Sequence, residues 1–349
     1  MNKNIKQELN TYAVIVTYAN RFHLLGQVID SCFLEGVDKV IVIDNNSEQE
    51  SRTQLENLES RISDKLKVVY LDKNIGSAGG YKKGLEEAYN DVDCEYIWLL
   101  DDDNQPQKDS LDALKDFWHS LQQEDKKDKV SLLSYRKDRI AFKEAIMTNN
   151  PDLVLGRKNS FLGFHIMDLP KKVIKVLKRK LNIQTFKENE NVKSGLVSLA
   201  PYGGMFFHKN IIKTIGYPNE DFFVYADDHD WSYRITKNGG FIYLVLNSLV
   251  DDIDTSWNLK EKTISPFYSF LNQGSDFRVY YSVRNRVFFE KNLIQNKWIY
   301  NSQLQLFIFF LSFYKNTKNK KRYEVFKNAI DDGLNNKLGK IIIKEKDYR

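Results

Sequence analysis

The N-terminal third of the chain alternates short apolar runs with amphipathic ones, and the apolar runs end in polar clusters. Residues 12–17 (Tyr-Ala-Val-Ile-Val-Thr) form the first run, and 24–33 then carry helical spacing. Residues 40–43 (Val-Ile-Val-Ile) end at Asp44-Asn45-Asn46-Ser47, and 66–71 are a third run. A Gly-rich stretch at 74–80 leads into a helical segment through Tyr89, and 96–100 (Tyr-Ile-Trp-Leu-Leu) stop directly at Asp101. Near-continuous apolar strands alternating with helices predict an α/β, Rossmann-like fold: a mainly parallel central sheet with helices on both faces. Ligands of such sheets bind beyond the carboxyl ends of the strands. Asp44, the Gly-rich stretch and Asp101-Asp102-Asp103 all belong to that edge.

The chain has 349 residues, 42% hydrophobic and 28% charged, enough for one large domain and a smaller appendage. The larger domain is expected at 1–260, with one half at 11–105 and another at 195–255, followed by a helical region at 261–349. The second half holds the loop Ala200-Pro-Tyr-Gly203-Gly204, a strand at 205–207, an acidic segment at 221–235, a strand at 241–246 and the cluster Asp251-Asp252-Ile-Asp254. Residues 171–180 mix lysines with Val173, Ile174, Val176 and Leu177, which suits a basic amphipathic helix on a membrane as well as a solvated one. The net charge of +5 is mild, and its basic residues are not interleaved with aromatics in a recognisable motif, so no nucleic-acid partner is expected. Cys32 and Cys94 are isolated, as in a reducing compartment. The polar start lacks a signal-peptide core, and the best apolar window, 304–313, is about half of what a spanning helix needs. The expected location is the cytoplasm.

Three adjacent carboxylates repel one another unless a cation is present. On an extended segment Asp101 and Asp103 share a face, and a divalent metal with oxygen ligands, Mn²⁺ or Mg²⁺, is their natural counterion. The alternative is a solvated acidic turn, which the buried strand leading into it disfavours. The 74–80 stretch reads as a loop where backbone approaches a phosphate or sugar, or as a tight strand–helix turn. In Asp227-Asp228-His229-Asp230-Trp231, a helix would pair Asp230 with Arg234 and leave Asp227 and Asp228 at its N-terminus, where a carboxylate can deprotonate an acceptor hydroxyl. N-terminal capping explains one such Asp more readily than two. His229 fits a supporting residue better than a metal ligand.

Together these residues resemble glycosyltransferase family 2, the inverting enzymes of the GT-A fold, over about 11–290. The likeness rests on Thr17-Tyr18 with Asn20-Arg21, Asp44-Asn45-Asn46-Ser47, Asn74-Ile-Gly76 with Gly79-Gly80, the three aspartates, Gly203-Gly204-Met-Phe-Phe and Asp227-Asp228-x-Asp-Trp231. Within the family, the segment from Tyr225 to Trp231 and Tyr280-Tyr281-Ser-Val-Arg284-Asn285 are most similar to the galactofuranosyltransferase and rhamnosyltransferase branch, which builds bacterial surface polysaccharides. The resemblance implies a nucleotide site at Thr17, Tyr18 and Arg21, with Asp44 on the base. Asn46, Asn74, Gly76, Gly79, Gly80 and Asp102 would complete the donor site. Asp101 and Asp103 would bind the metal and the donor diphosphate, and Asp252 (or Asp251) would stand where relatives often place a histidine ligand. Asp228 would be the general base beside Asp227, and Gly203, Gly204 and Trp231 would face the acceptor. The implied partners are a UDP- or dTDP-sugar, with UDP-galactofuranose favoured, and a glycan or polyprenyl-diphosphate-linked acceptor. The C-terminal aromatic and lysine-rich helices would dock on the inner leaflet or, alternatively, pack as a subdomain or against a second copy. A nucleotidyltransferase would carry a Gly-rich basic signature near the first strand, which is absent. A non-catalytic scaffold would be expected to lose one acidic cluster, and both are present.

Overall fold

The computed structural model describes residues 9–170, 174, 177, 189–254 and 265–341. The basic run 171–180 lies outside them, apart from Ile174 and Leu177, and so does the expected boundary near 260. The chain divides into two compact units. The first comprises 1–154, 189–220 and 228–256, and the second comprises 155–188, 221–227 and 257–349. The second unit therefore draws on two segments, 155–188 and 221–227, from within the domain expected at 1–260.

Among the described residues, the first unit is built on a sheet of nine strands: β1 Thr11–Thr17, β2 Lys39–Asp44, β3 Leu66–Tyr70, β4 Tyr96–Asp101, β5 Asn104–Pro106, β6 Val130–Tyr135, β7 Ser194–Val197, β8 Met205–His208 and β9 Phe241–Asp252. The order is β3-β2-β1-β4-β8-β6-β9-β5, with β7 also on β9. Strands β1 to β4 are parallel, and β8 is antiparallel to both β4 and β6. β6 therefore runs in the same direction as β4, and its carboxyl end reaches the same edge. In register, Thr17 lies opposite Asp44 and Val16 opposite Asp101. This register gathers the polar ends of three strands. Ala13, Val14, Ile15, Val40, Ile41, Val42 and Ile43 are fully buried, as expected of strands covered on both faces.

Helix Phe22–Leu34 turns Leu25, Val28, Ile29 and Cys32 onto one face of the sheet, a spacing of three and four residues. Residues 76–80 are not a loop, as the sequence reading had it. Helix Gly76–Asn90 starts there, and its glycines set how closely it approaches the sheet. A Cβ on Gly80 would lie 2.7 Å from Val16 Cγ1, and one on Gly84 would lie 2.4 Å from Val14 Cγ1. Replacing Gly84 by Ala should therefore destabilise the protein. Overpacking against a stiff, fully buried valine costs about 1–3 kcal/mol, and the better helix propensity of Ala returns at most ~1 kcal/mol. Urea unfolding reads the net loss, and an unchanged or higher midpoint would refute the close approach.

His208, at the end of β8, accepts the Asn210 amide on Nδ1 at 3.2 Å. Burial first, then Lys127, push its pKa down to about 4. The unfolded chain thus takes up a proton that the folded one refuses, so this residue's contribution is intact above about pH 6.5 and is lost as pH falls toward 4. Thermal unfolding between pH 7 and 4 should fall less steeply in His208→Gln than in the parent. Equal slopes would rule out this source of acid sensitivity.

The second unit is helical: Pro266–Asn272, Asp276–Glu290, Lys297–Ser312 and Lys320–Leu334. Its core is aromatic, with Phe161, Phe164, Tyr281, Tyr300, Phe307 and Phe326 buried together. Ser275 and Asn296 cap the N-termini of two of these helices by accepting backbone amides. Glu290, 1% exposed, accepts the Leu162 and Gly163 amides and the Arg286 guanidinium. Among the described residues no helix is long and apolar enough to cross a membrane.

Candidate active site

Arg21 follows β1 and β1 adjoins β4, so its guanidinium lands among the aspartates that end β4. Its Nε donates to Asp102 at 2.9 Å, and one terminal nitrogen donates to Asp103 at 2.7 Å and the other to Asp254 at 2.8 Å. Thr17 Oγ1 donates to Asp102 at 2.8 Å. Burial tends to lower the Arg21 pKa, but Asp102, Asp254 and Asp103 outweigh it and raise it above the usual value. Asp102 is buried by Thr17 and Arg21, so its carboxylate is structural in its contacts. Asp101 ends β4 and accepts the Tyr81 hydroxyl at 2.6 Å. Asp103 also accepts the Asn104 side-chain amide at 2.8 Å. Burial, then Asp101, Asp102 and Asp252, raise the Asp103 pKa to about 7.

A second arginine closes the other side. Arg136, just past β6, is 6% exposed and reaches Asp252 at 2.7 Å, Asp138 at 3.1 Å and Asn104 at 3.3 Å. Strand β5 sets Asn104 opposite Asp252 on β9. Arg139 lies near as well: burial first and Arg136 second lower its pKa, while Asp228 and Asp101 oppose them. The charges of the two acidic clusters therefore meet at Arg139. Tyr81, Asn104, Arg136, Arg139 and Asp254 were missed as site residues. The available signal was a pair of arginines, three residues apart, directly after the apolar run 131–134.

Several expected positions differ in role. Asp44 is fully buried, with its oxygens taken by Arg52 Nε at 2.6 Å and the Ser47 amide at 2.8 Å, so it builds the turn instead of presenting itself to a base. Asn74 caps the Gly76 amide at 2.9 Å, while Asn46 is exposed at a φ of 60° and Tyr18 is 46% exposed. Gly76 begins its helix at a φ of 78°, and Gly79 packs against Ile75. Trp231 is fully buried, donates to the Gly216 carbonyl at 2.8 Å and packs on Tyr202 and Phe207, so it faces the core and not an acceptor. Gly203 leaves room for the Asn104 side chain, 1.8 Å from where a Cβ would stand. Gly204 donates to Leu99 and accepts from Ser134 at a φ of 97°. Helix Asp227–Lys237 begins with Asp227, 3% exposed, and the half-buried Asp228, whose Oδ1 accepts the His229 amide at 2.8 Å. The Asp230–Arg234 pair forms at 2.5 Å, as the helical spacing predicts.

The three expected metal ligands do not converge. Among the described residues no three acidic, His or Cys side chains form a metal cage. The reason is visible in the ion pairs: Asp103 turns to Arg21 and Asp252 to Arg136. Asp251 is held by the Gln107 amide. The donor chemistry still fits a hard cation. Asp102, Asp103 and Asp254 share Arg21, Asp138 and Asp252 share Arg136, Asp101 accepts only the Tyr81 hydroxyl among the hydrogen bonds described, and Asp103 carries the penalty as a raised pKa. Mg²⁺ sites of this kind take one or two carboxylates and complete their shell with substrate phosphate and water.

Residues 13–127 match the family model "Glycosyl transferase family 2". No curated protein matches the chain in sequence. The fold is similar to that of GalNAc-T7 solved with UDP, GalNAc and Mn²⁺, at a TM-score of 0.55 and 13% identity, covering 94% of this chain and 57% of that one. The chain thus spans little more than half the length of that protein. Two further structures align at scores too low to support an argument. They are the Pyrobaculum calidifontis mannosyltransferase PcManGT with GDP-Man and Mn²⁺ (0.49, 13% identity, 95% and 76% of the two chains) and S. aureus TarS 1-349 with UDP (0.46, 14%, 95% and 83%). The sheet and the sequence match agree: over residues 13–127 the chain is similar to glycosyl transferase family 2, and its fold is similar to that of GalNAc-T7.

Proposed function

We propose that the protein is a metal-dependent, inverting glycosyltransferase that moves a sugar from a nucleoside-diphosphate donor to a hydroxyl acceptor. The observation that carries this reading is the gathering of Asp101, Asp102, Asp103, Asp252 and Asp254 at the strand ends, with Asp102, Asp103 and Asp254 on Arg21 and Asp252 on Arg136. Asp101 and Asp103 are the residues that would hold Mn²⁺ or Mg²⁺, with Asp252 released from Arg136 as a third candidate. A bound cation would neutralise the donor diphosphate. Asp228 accepts the proton of the attacking hydroxyl. That oxygen bonds to the anomeric carbon as the bond from this carbon to the diphosphate oxygen breaks, and the electron pair leaves with the nucleoside diphosphate. Arg139 offers a cation to the charge that develops. Thr17 and Arg21 hold Asp102 in place, and Tyr18 is exposed to meet the nucleotide.

UDP-galactofuranose is the favoured donor, on the similarity of 225–231 and 280–285 to that branch, with dTDP-rhamnose as the second reading. The acceptor class is a glycan or lipid-linked glycan of a bacterial surface polysaccharide. Exposed Trp298, Phe309 and Phe313, with Lys297, Lys315 and Lys318 close in sequence, suit a peripheral position on the inner face of a membrane. The test is nucleoside-diphosphate release from each donor with and without Mn²⁺, followed by the anomeric configuration of the product. Metal-dependent release with inversion supports the reading. A retained configuration, or release that ignores both metal and Asp228, would refute it.

A further inference from the structure

The segment 221–226, which leads into Asp227 and Asp228, has an unusual backbone. Phe223, Tyr225 and Ala226 have φ values of 65°, 68° and 60°, a left-handed region that costs energy at every non-glycine residue. Such a run also turns carbonyls away from any regular ladder. In the second unit these carbonyls meet two adjacent side chains of helix Asp276–Glu290. Asn285 Nδ2 donates to the carbonyls of Phe222 at 2.9 Å, Val224 at 2.7 Å and Tyr225 at 2.9 Å. Arg284 donates to Phe222 at 3.0 Å and to Gly339 at 2.6 Å. Its Nε also donates to Asn285 Oδ1 at 2.8 Å, which fixes the Asn285 amide with its NH₂ toward the segment. Both residues are 0% exposed.

Among the described residues no carboxylate lies within hydrogen-bond range of the Arg284 guanidinium, and burying such a group is an expensive way to anchor a helix. Here its hydrogen bonds go to backbone oxygens and to the amide that grips the strained segment, and Tyr281 lies under it at 4.6 Å. Arg278 adds a bond to the Tyr225 hydroxyl at 3.2 Å. The strain ends at Asp227, the residue that directly follows the segment.

We propose that Arg284 and Asn285 are positioning residues: they hold the 222–226 segment, with Phe223, Tyr225 and Ala226 left-handed, and thereby fix the next residue, Asp227, for transfer. The inference rests on the transferase reading above.

The experiment uses the full chain and Asn285→Ala. Hydrogen exchange is read over 222–229, together with nucleotide binding and donor turnover at saturating donor. Exchange in that segment should quicken at least about tenfold. kcat should fall about 100-fold while the Kd for UDP stays within about threefold, because the donor-side residues are untouched. Unchanged exchange would overturn the proposal, as would a normal kcat despite faster exchange, or a fall in kcat matched by an equal loss of UDP binding. If Asn285→Ala fails to fold, the double variant with Ala226→Gly, which relieves the strain at one residue, is read the same way. A parent protein that binds UDP yet turns over no donor would count against the transferase reading, and the exchange result would still decide whether the clamp exists.

Discussion

Asp228→Asn should lower kcat by about 10²–10⁴-fold, the range that a positioned general base supplies, which corresponds to roughly 3–5 kcal/mol of barrier. The substitution is nearly isosteric, and the Asn oxygen can still accept the His229 amide that Asp228 Oδ1 now takes. The fold and the nucleotide Kd should therefore persist. Asp230→Asn on the same helix is the control, because Asp230 is spent on Arg234 and should affect stability more than chemistry. Steady-state turnover with matched UDP binding separates the two variants. If Asp228→Asn kept more than about a tenth of the parent kcat, Asp228 would not be the base.

The largest effect on stability should come from Arg21→Ala. One guanidinium serves Asp102, Asp103 and Asp254, and the side chains of Asp102 and Asp254 are 5% and 6% exposed. Removing one partner of a buried ion pair costs about 3–5 kcal/mol, because the remaining charge is left uncompensated. Urea unfolding should show that loss, and millimolar Mn²⁺ should restore more stability to the variant than to the parent, since added cation replaces missing charge. A loss below about 1 kcal/mol, the level of an exposed pair, would mean that the cluster is better solvated than its burial indicates.

The sequence showed the sheet where burial is simplest. Strands β1, β2 and β4 are apolar on both faces, so their runs are continuous and their ends sharp. Strand β5 is Asn-Gln-Pro, with nothing apolar to read, and pairs only because β9 continues past Leu246 to Asp252. That continuation includes a register shift next to β6, which breaks the alternation. The glycines at 79, 80 and 84 were readable as glycines but not as packing residues, because the constraint comes from Ile75 in one case and from Val16 and Val14 on a distant strand in the others. Trp231 sits beside Asp230 in sequence, yet its indole is fully buried against Tyr202 and Phe207 while Asp230 pairs with Arg234. Sequence adjacency does not say which face a helix buries.

The acidic edge was legible for the same reason as the strands, since Asp101 to Asp103 follow an apolar run that must end at the site. Its partners were not. Arg21 could be placed near the nucleotide but not on three carboxylates at once, because Asp254 is 233 positions away. Arg136 and Arg139 lie in a stretch of weak periodicity, and only the direction of β6 reveals that they reach the same edge.

The most direct test of the central claim is a calorimetric titration of the intact protein with UDP and dTDP, with and without Mn²⁺, beside Asp103→Asn. The account predicts that one nucleotide binds in a metal-dependent way and that this dependence is lost in Asp103→Asn. Equal binding with and without metal, or no change in the variant, would contradict it.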